Sequence, residues 1–152
     1  MTRKKPSGYT PFTVEEANEL IPQLGYKFGV VIDLIDQLER DMRLMVQLGV
    51  EPSPDIADVR RGDSREVKRA KRKIKTIIAQ IFRHYSTIQD TGVIIQDISA
   101  GVVSFYTYFG EHPAFLTWQF GESEVTWWHE VYEDSAKRKP LPRSGSMSAP
   151  MN

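Results

Sequence analysis

Three features of the 152-residue sequence predict an α+β fold. Two long stretches carry apolar residues at alternating three- and four-residue spacing, Gly92 ends the second of them, and after it the pattern changes to β-type alternation. The expected architecture is a long antiparallel helical hairpin packed on a small antiparallel β-meander, with disordered basic termini. On this reading residues 1–11 are a basic arm and residues 12–134 a single domain, with the hairpin over 13–91 and the meander over 93–132. Residues 135–152 form a disordered basic tail rich in Pro and Ser.

The first helix is expected to begin at Thr13. Thr13 followed by Glu16 matches a capping box, and Glu15, Glu16 and Glu19 suit the positive end of the helix dipole. From Ala17 the stripe runs through Ile21, Leu24, Phe28, Val31, Ile35, Leu38 and Met42 to Met45, the spacing of a coiled-coil seam. Pro22 predicts a short leading helix or a kink near Ile21, and Gly49 a stop. Glu51 to Asp63, with Pro52, Pro54 and Gly62, reads as a loop. Ser64 caps a second helix whose seam is Val67, Ala70, Ile74, Ile77, Ile81, His84 and Ile88. Two helices joined by one loop form a hairpin.

Beyond Gly92, the segments Val93–Ile98, Val102–Phe109, Ala114–Phe120 and Glu124–Tyr132 are rich in β-branched and aromatic residues. Turn residues separate them, at Ser99-Ala100-Gly101, Gly110-Glu111-His112-Pro113 and Gly121-Glu122-Ser123. They predict a four-stranded meander, with a helix as the alternative for 124–133.

The formal net charge of zero is a sum of opposed blocks. Residues 13–58 sum to −7, residues 59–92 to +7, and residues 93–134 to −7 with no Lys or Arg. Antiparallel packing sets the acids of the first helix (Asp33, Asp36, Glu39, Asp41) beside the basic start of the second, which explains the first two blocks. The third block has no such partner inside the expected domain.

Several chemistries are excluded by composition. With no cysteine there is no disulfide framework, thiolate zinc site or cysteine nucleophile. No apolar run approaches the roughly 20 residues of a membrane span. There is no phosphate-cradling glycine loop, nucleophile elbow or dinucleotide fingerprint. A cytoplasmic location and no membrane partner are expected, the basic N-terminus being followed by no apolar leader segment.

The run Phe12-Thr13-Val14-Glu15-Glu16-Ala17-Asn18-Glu19-Leu20-Ile21-Pro22, the segments Gly92–Ile98 and Gly101–Phe105, and Trp118-Gln119-Phe120-Gly121-Glu122 with Trp127-Trp128-His129-Glu130 resemble a bacterial domain-of-unknown-function family. The resemblance covers roughly residues 12–141 and implies the domain, with no established activity. The family pattern has Lys before Asp97, Asp before Phe105, Cys-Trp-Arg around Trp118, and Arg-Gln-Pro near the end. Here those places hold Gln96, Ser104, Thr117-Trp118-Gln119 and Arg138-Lys139-Pro140. Four polar or charged positions are thus altered, and the resemblance implies that a family site built on them would be degenerate in this chain.

The site candidates lie in the acidic, aromatic second half. Asp97, Trp118, Glu122, Trp128 and His129 combine titratable groups with aromatic walls and are the ligand or interface candidates. Asp97, Glu122 and His129 are also the weak candidates for a divalent metal. His129-Glu130-Val131-Tyr132-Glu133 approaches the zinc-protease helix motif, but Glu133 replaces its second histidine. In a strand, those two ends are about 13 Å apart. Lys71, Arg72, Lys73 and Lys75 are the weak nucleic-acid candidates, set against the charge-paired hairpin. The function expected is that of a non-catalytic interaction protein that self-associates as a dimer, or binds a protein partner, through its helices or aromatic sheet. Val30, Leu34, Leu44 and Val46 beside the first seam need covering. The alternatives are a metal- or small-ligand-binding enzyme built on the acidic sheet and, more weakly, nucleic-acid binding by the second helix.

Overall fold

The apolar stripe that begins at Ala17 becomes one continuous helix. In the computed structural model, which describes residues 9–142, helix α1 runs Val14–Gln47 and helix α2 runs Arg65–Gln89. The Thr13 hydroxyl accepts the Glu16 N–H at 3.0 Å, and the Thr13 N–H donates to the Glu16 carboxylate at 2.8 Å, completing the capping box. The Ser64 hydroxyl accepts the Val67 N–H and caps α2. Pro22 lies inside α1 without dividing it, so no separate leading helix forms. The exposed ring deletes one N–H donor, while buried Ile21 and Leu24 on either side hold the helix against the sheet.

Five strands follow, β1 (Ile94–Asp97), β2 (Val102–Phe109), β3 (His112–Gln119), β4 (Trp127–Glu130) and β5 (Lys139–Pro140), paired antiparallel in sequence order. Residues 127–130 are therefore strand, and the helical alternative for that segment does not hold. The expected four strands are joined by a fifth drawn from the segment assigned to a disordered tail. Residues 135–142 instead make a 3-10 turn (Ser135–Lys137) and β5. The cause is electrostatic as much as geometric. Arg138 and Lys139 reach Glu122 and Glu133, and the Leu141 N–H donates to the Thr126 carbonyl at 2.8 Å. The remainder of that tail, 143–152, and residues 1–8 of the basic arm lie outside the described residues.

The last residues of the arm are also placed. β1 pairs only with Val102–Ser104, leaving the adjoining edge of β2 open beyond it. Phe12 fills part of that edge: its N–H donates to the Tyr106 carbonyl at 2.7 Å, and its carbonyl accepts the Thr107 hydroxyl at 2.6 Å. Its ring then packs edge-on against Phe105.

The heptad-like stripe of α1 meets two different partners. From Ala17 to Val31 it packs, with Ile88 of α2, on Phe105, Leu116, Trp118 and Trp128 of the sheet. Beyond the sheet, Met45 meets Ala70 and Ile74 of α2 and Ile56 of the connecting loop in a second, smaller core. The helices thus run antiparallel, but the stripe is not one uninterrupted helix–helix seam. The basic run on α2 also finds partners other than those expected. Of the acids on α1, Asp41 pairs with Lys73 at 3.6 Å, whereas Lys71 and Lys75 pair with Asp63 and Asp58 of the loop. Lys71 is buried, which removes it from any exposed basic face. Among the described residues, no helix is long and apolar enough to cross a membrane.

Candidate functional site

Strand alternation gives the sheet an outer face, turned away from the helices. In register there are Ser104 opposite Thr117, Thr117 opposite Trp127, and Phe115 opposite His129. This face is not the bare aromatic surface that the density of rings suggests. Tyr9 packs on Tyr106 and Phe115, with ring centroids 5.9 and 6.0 Å apart, and Arg138 lies over Trp127 at 4.6 Å. Chain from both ends of the domain therefore covers it.

Between the β1–β2 turn and the strap formed by residues 134–138 there is a pocket of about 420 Å³, within the size range of small-molecule sites. It is lined by Gln96, Asp97 and Val102 on one side, Thr117 and Gln119 on its floor, and Asp134, Ser135, Ala136 and Arg138 on the strap. Gln96 donates to the Ser104 hydroxyl at 3.2 Å, which joins β1 to β2 beneath it. Thr117 is 99 % buried, being 1 % exposed, and its hydroxyl oxygen has no hydrogen-bond partner within the described protein.

The carboxylates around the pocket are held by specific donors. Asp97 Oδ1 accepts the Ala100 N–H, the Ser99 hydroxyl and the Ser99 N–H at 2.9–3.0 Å, and these bonds lower its pKa below the ordinary carboxylate range. Glu122 accepts both arms of the Arg138 guanidinium and the Gln119 N–H. Glu133 is lowered first by Lys139 and then by the Glu130 N–H. Asp63, bound to Lys71, and Asp55, bound to Ser53 and Arg60, are lowered as well. Asp97, Glu133, Asp63 and Asp55 each take up a proton more readily unfolded than folded. Their contribution to stability is full above the unfolded pKa, near 4, and is lost as the pH falls through the folded value. The melting temperature is therefore expected to fall as the pH is lowered below about 4, in circular-dichroism melts; a rise on acidification would contradict these assignments.

The five sequence candidates do not converge. Trp118 and Trp128 are buried on the helix-facing side of the sheet, although Trp118 Nε1 reaches the Glu122 carbonyl at 2.8 Å. His129 is buried on the outer face against Phe115, its Nδ1–H donating to the Glu130 carbonyl at 2.8 Å. Its other ring nitrogen, Nε2, is buried with no partner among the described residues. Asp97 lines the pocket, and Glu122 supports it through Arg138. Among the described residues, no three His, Asp or Glu side chains are grouped as a metal site. Glu133, the last residue of the protease-like run, turns back to accept the Glu130 N–H at 3.0 Å.

Thr117, Gln119, Gln96, Asp134 and Arg138 carry no catalytic signature, and a search for metal or acid–base motifs passes over them. A signal for four of the five was present in the resemblance. Gln96, Thr117, Gln119 and Arg138 stand at positions that the family pattern marks, and Ser104, at another, touches Gln96.

The strap is expected to depend on Arg138. Arg138→Ala should raise hydrogen exchange at Leu141, whose N–H is bonded to Thr126, while leaving the Phe105 and Leu116 amides protected. Uniform exchange across the sheet would show that the strap is not a separate unit.

The fold and site define a two-layer α+β protein with a strapped polar pocket on the exposed side of its sheet. A family model described as an uncharacterized conserved protein, DUF2203, matches residues 11–141, and the chain belongs to that family. No curated protein and no solved structure matches it.

Proposed function

We propose that this protein is a non-catalytic binding protein whose pocket on the outer sheet face holds a small polar molecule. The observation that carries this reading is Thr117, a buried hydroxyl with no hydrogen-bond partner among the described residues, in a pocket walled by polar side chains. An unsatisfied buried hydroxyl costs about 1–3 kcal/mol, a cost that a bound ligand group would offset. Binding is favoured over chemistry because Asp97 holds a turn and Glu122 holds Arg138. The test is Thr117→Val. It should leave stability unchanged or raise it by about 1 kcal/mol, and should weaken whatever solute from a polar fragment panel shifts the Gln96, Thr117 and Gln119 amide resonances. A destabilised variant, or a panel that moves none of these amides, would overturn the reading.

Self-association is the second reading, favoured by the helical layer. Tyr26 on α1 and Phe82 on α2 are 74 % and 67 % exposed, and Val30 and Leu34 continue the Tyr26 row at four-residue spacing. Pairing of two hairpins would cover these side chains. On this reading the protein scatters light as a dimer at micromolar concentration, and Phe82→Glu converts it to a monomer without lowering its helix content. A monomer at that concentration would sink the reading.

A further inference from the structure

We propose that the pocket takes a small organic cation, an alkylammonium or guanidinium compound, held between Asp97 and Asp134. The proposal rests on the binding reading above and adds the chemistry of the ligand.

It follows from counting which polar groups already have partners. Asp97 lines the pocket from the β1–β2 turn and Asp134 from the strap, so the two carboxylates come from different walls. Each uses Oδ1 on its own backbone: Asp97 on Ser99 and Ala100, Asp134 on the Ala136 N–H at 2.8 Å. Neither Oδ2 has a hydrogen bond to a described residue, so each is an acceptor without a donor. The unpartnered Thr117 oxygen, buried independently of these charges, adds a further acceptor on the floor.

The one cation lining the pocket among the described residues, Arg138, has its charge offset by both oxygens of Glu122 and its face on Trp127. Residues 93–134 carry seven acids and no Lys or Arg, so the surrounding potential is negative. A phosphate or carboxylate would meet two carboxylates and no uncommitted cation. A neutral polyol would leave both charges unpaired on desolvation. An ammonium group, with three donors and a positive charge, satisfies the acceptors present.

The 152-residue chain would be titrated with putrescine, with glucose and with inorganic phosphate, following the amides of Gln96, Thr117, Gln119 and Ala136. The expected result is saturable shifts with putrescine alone, weakened by added salt and weakened about tenfold in the D97N/D134N double variant. Asparagine keeps the Oδ1 acceptor that each turn needs, and thermal melts of the variant check that the fold survives; T117V serves as a second variant with both charges retained. Shifts with glucose or phosphate but not putrescine overturn the cation assignment and leave the pocket reading standing. Putrescine binding that D97N/D134N does not weaken overturns it too, as does the absence of any shift with all three solutes.

Discussion

Trp118→Ala is expected to cost about 3–5 kcal/mol of stability, the range for truncating a fully buried large aromatic, and to lower the melting temperature by something on the order of 10–20 °C. The indole is 1 % exposed, packs against Phe28 of α1, and belongs to the core that joins helices to sheet. It also donates from Nε1 to the Glu122 carbonyl. The truncation therefore opens a cavity under β3 and releases the loop that carries the partner of Arg138. Trp118→Phe keeps most of the packing and loses the hydrogen bond, so its expected cost is smaller, about 1–2 kcal/mol. Urea unfolding of both variants checks the pair. Equal losses would mean that the hydrogen bond, not the packing, is what Trp118 supplies.

Gly101→Ala should be nearly as damaging, although it adds a single methyl group. Gly101 has φ +73°, a left-handed conformation, and an added Cβ would sit 2.5 Å from the Cβ of Phe120. Its N–H donates to the Asp97 carbonyl and its carbonyl accepts the Phe120 N–H at 2.8 Å, so the backbone on both sides is fixed. Strain and overpacking together predict a loss of about 2–4 kcal/mol. A second substitution sharpens the test. Phe120→Ala leaves the clashing Cβ in place and should not rescue the variant, whereas Phe120→Gly should recover part of the loss. Because Gly101 adjoins Asp97 and Val102, ligand binding should weaken in Gly101→Ala by more than its loss of stability explains.

Local chemistry made much of the fold legible. The capping box at Thr13, the Ser64 cap, the stripe from Ala17 to Met45 and the extent of β2 all follow from interactions within a few residues. The continuation of α1 through Pro22 was less legible, because packing of Ile21 and Leu24 on a distant sheet outweighs a local propensity. The fifth strand was missed for a similar reason. Residues 135–142 look like a basic, proline-containing tail until Arg138 and Lys139 are set against Glu122 and Glu133.

The candidate site divides along the same line. Asp97 was found from its charge, and Trp118, Trp128 and His129 from their residue types, but strand alternation sends the two tryptophans to one face and His129 to the other. Thr117 and Gln119 stand at positions the family pattern marks but carry no chemical motif of their own, and Asp134 has neither signal. They acquire meaning only when a strap is laid over the sheet.

By itself, the sequence determined the two helices, the change to strands after Gly92, and an acidic block over residues 93–134 with no Lys or Arg of its own, because spacing, capping and charge are local properties of the chain. The tertiary structure decided what that acidity surrounds. Two carboxylates and a buried hydroxyl from segments far apart in sequence line one pocket, held there by a bidentate ion pair and the pairing of a two-residue strand. Such a meeting depends on long-range contacts, and no short window of the sequence contains it.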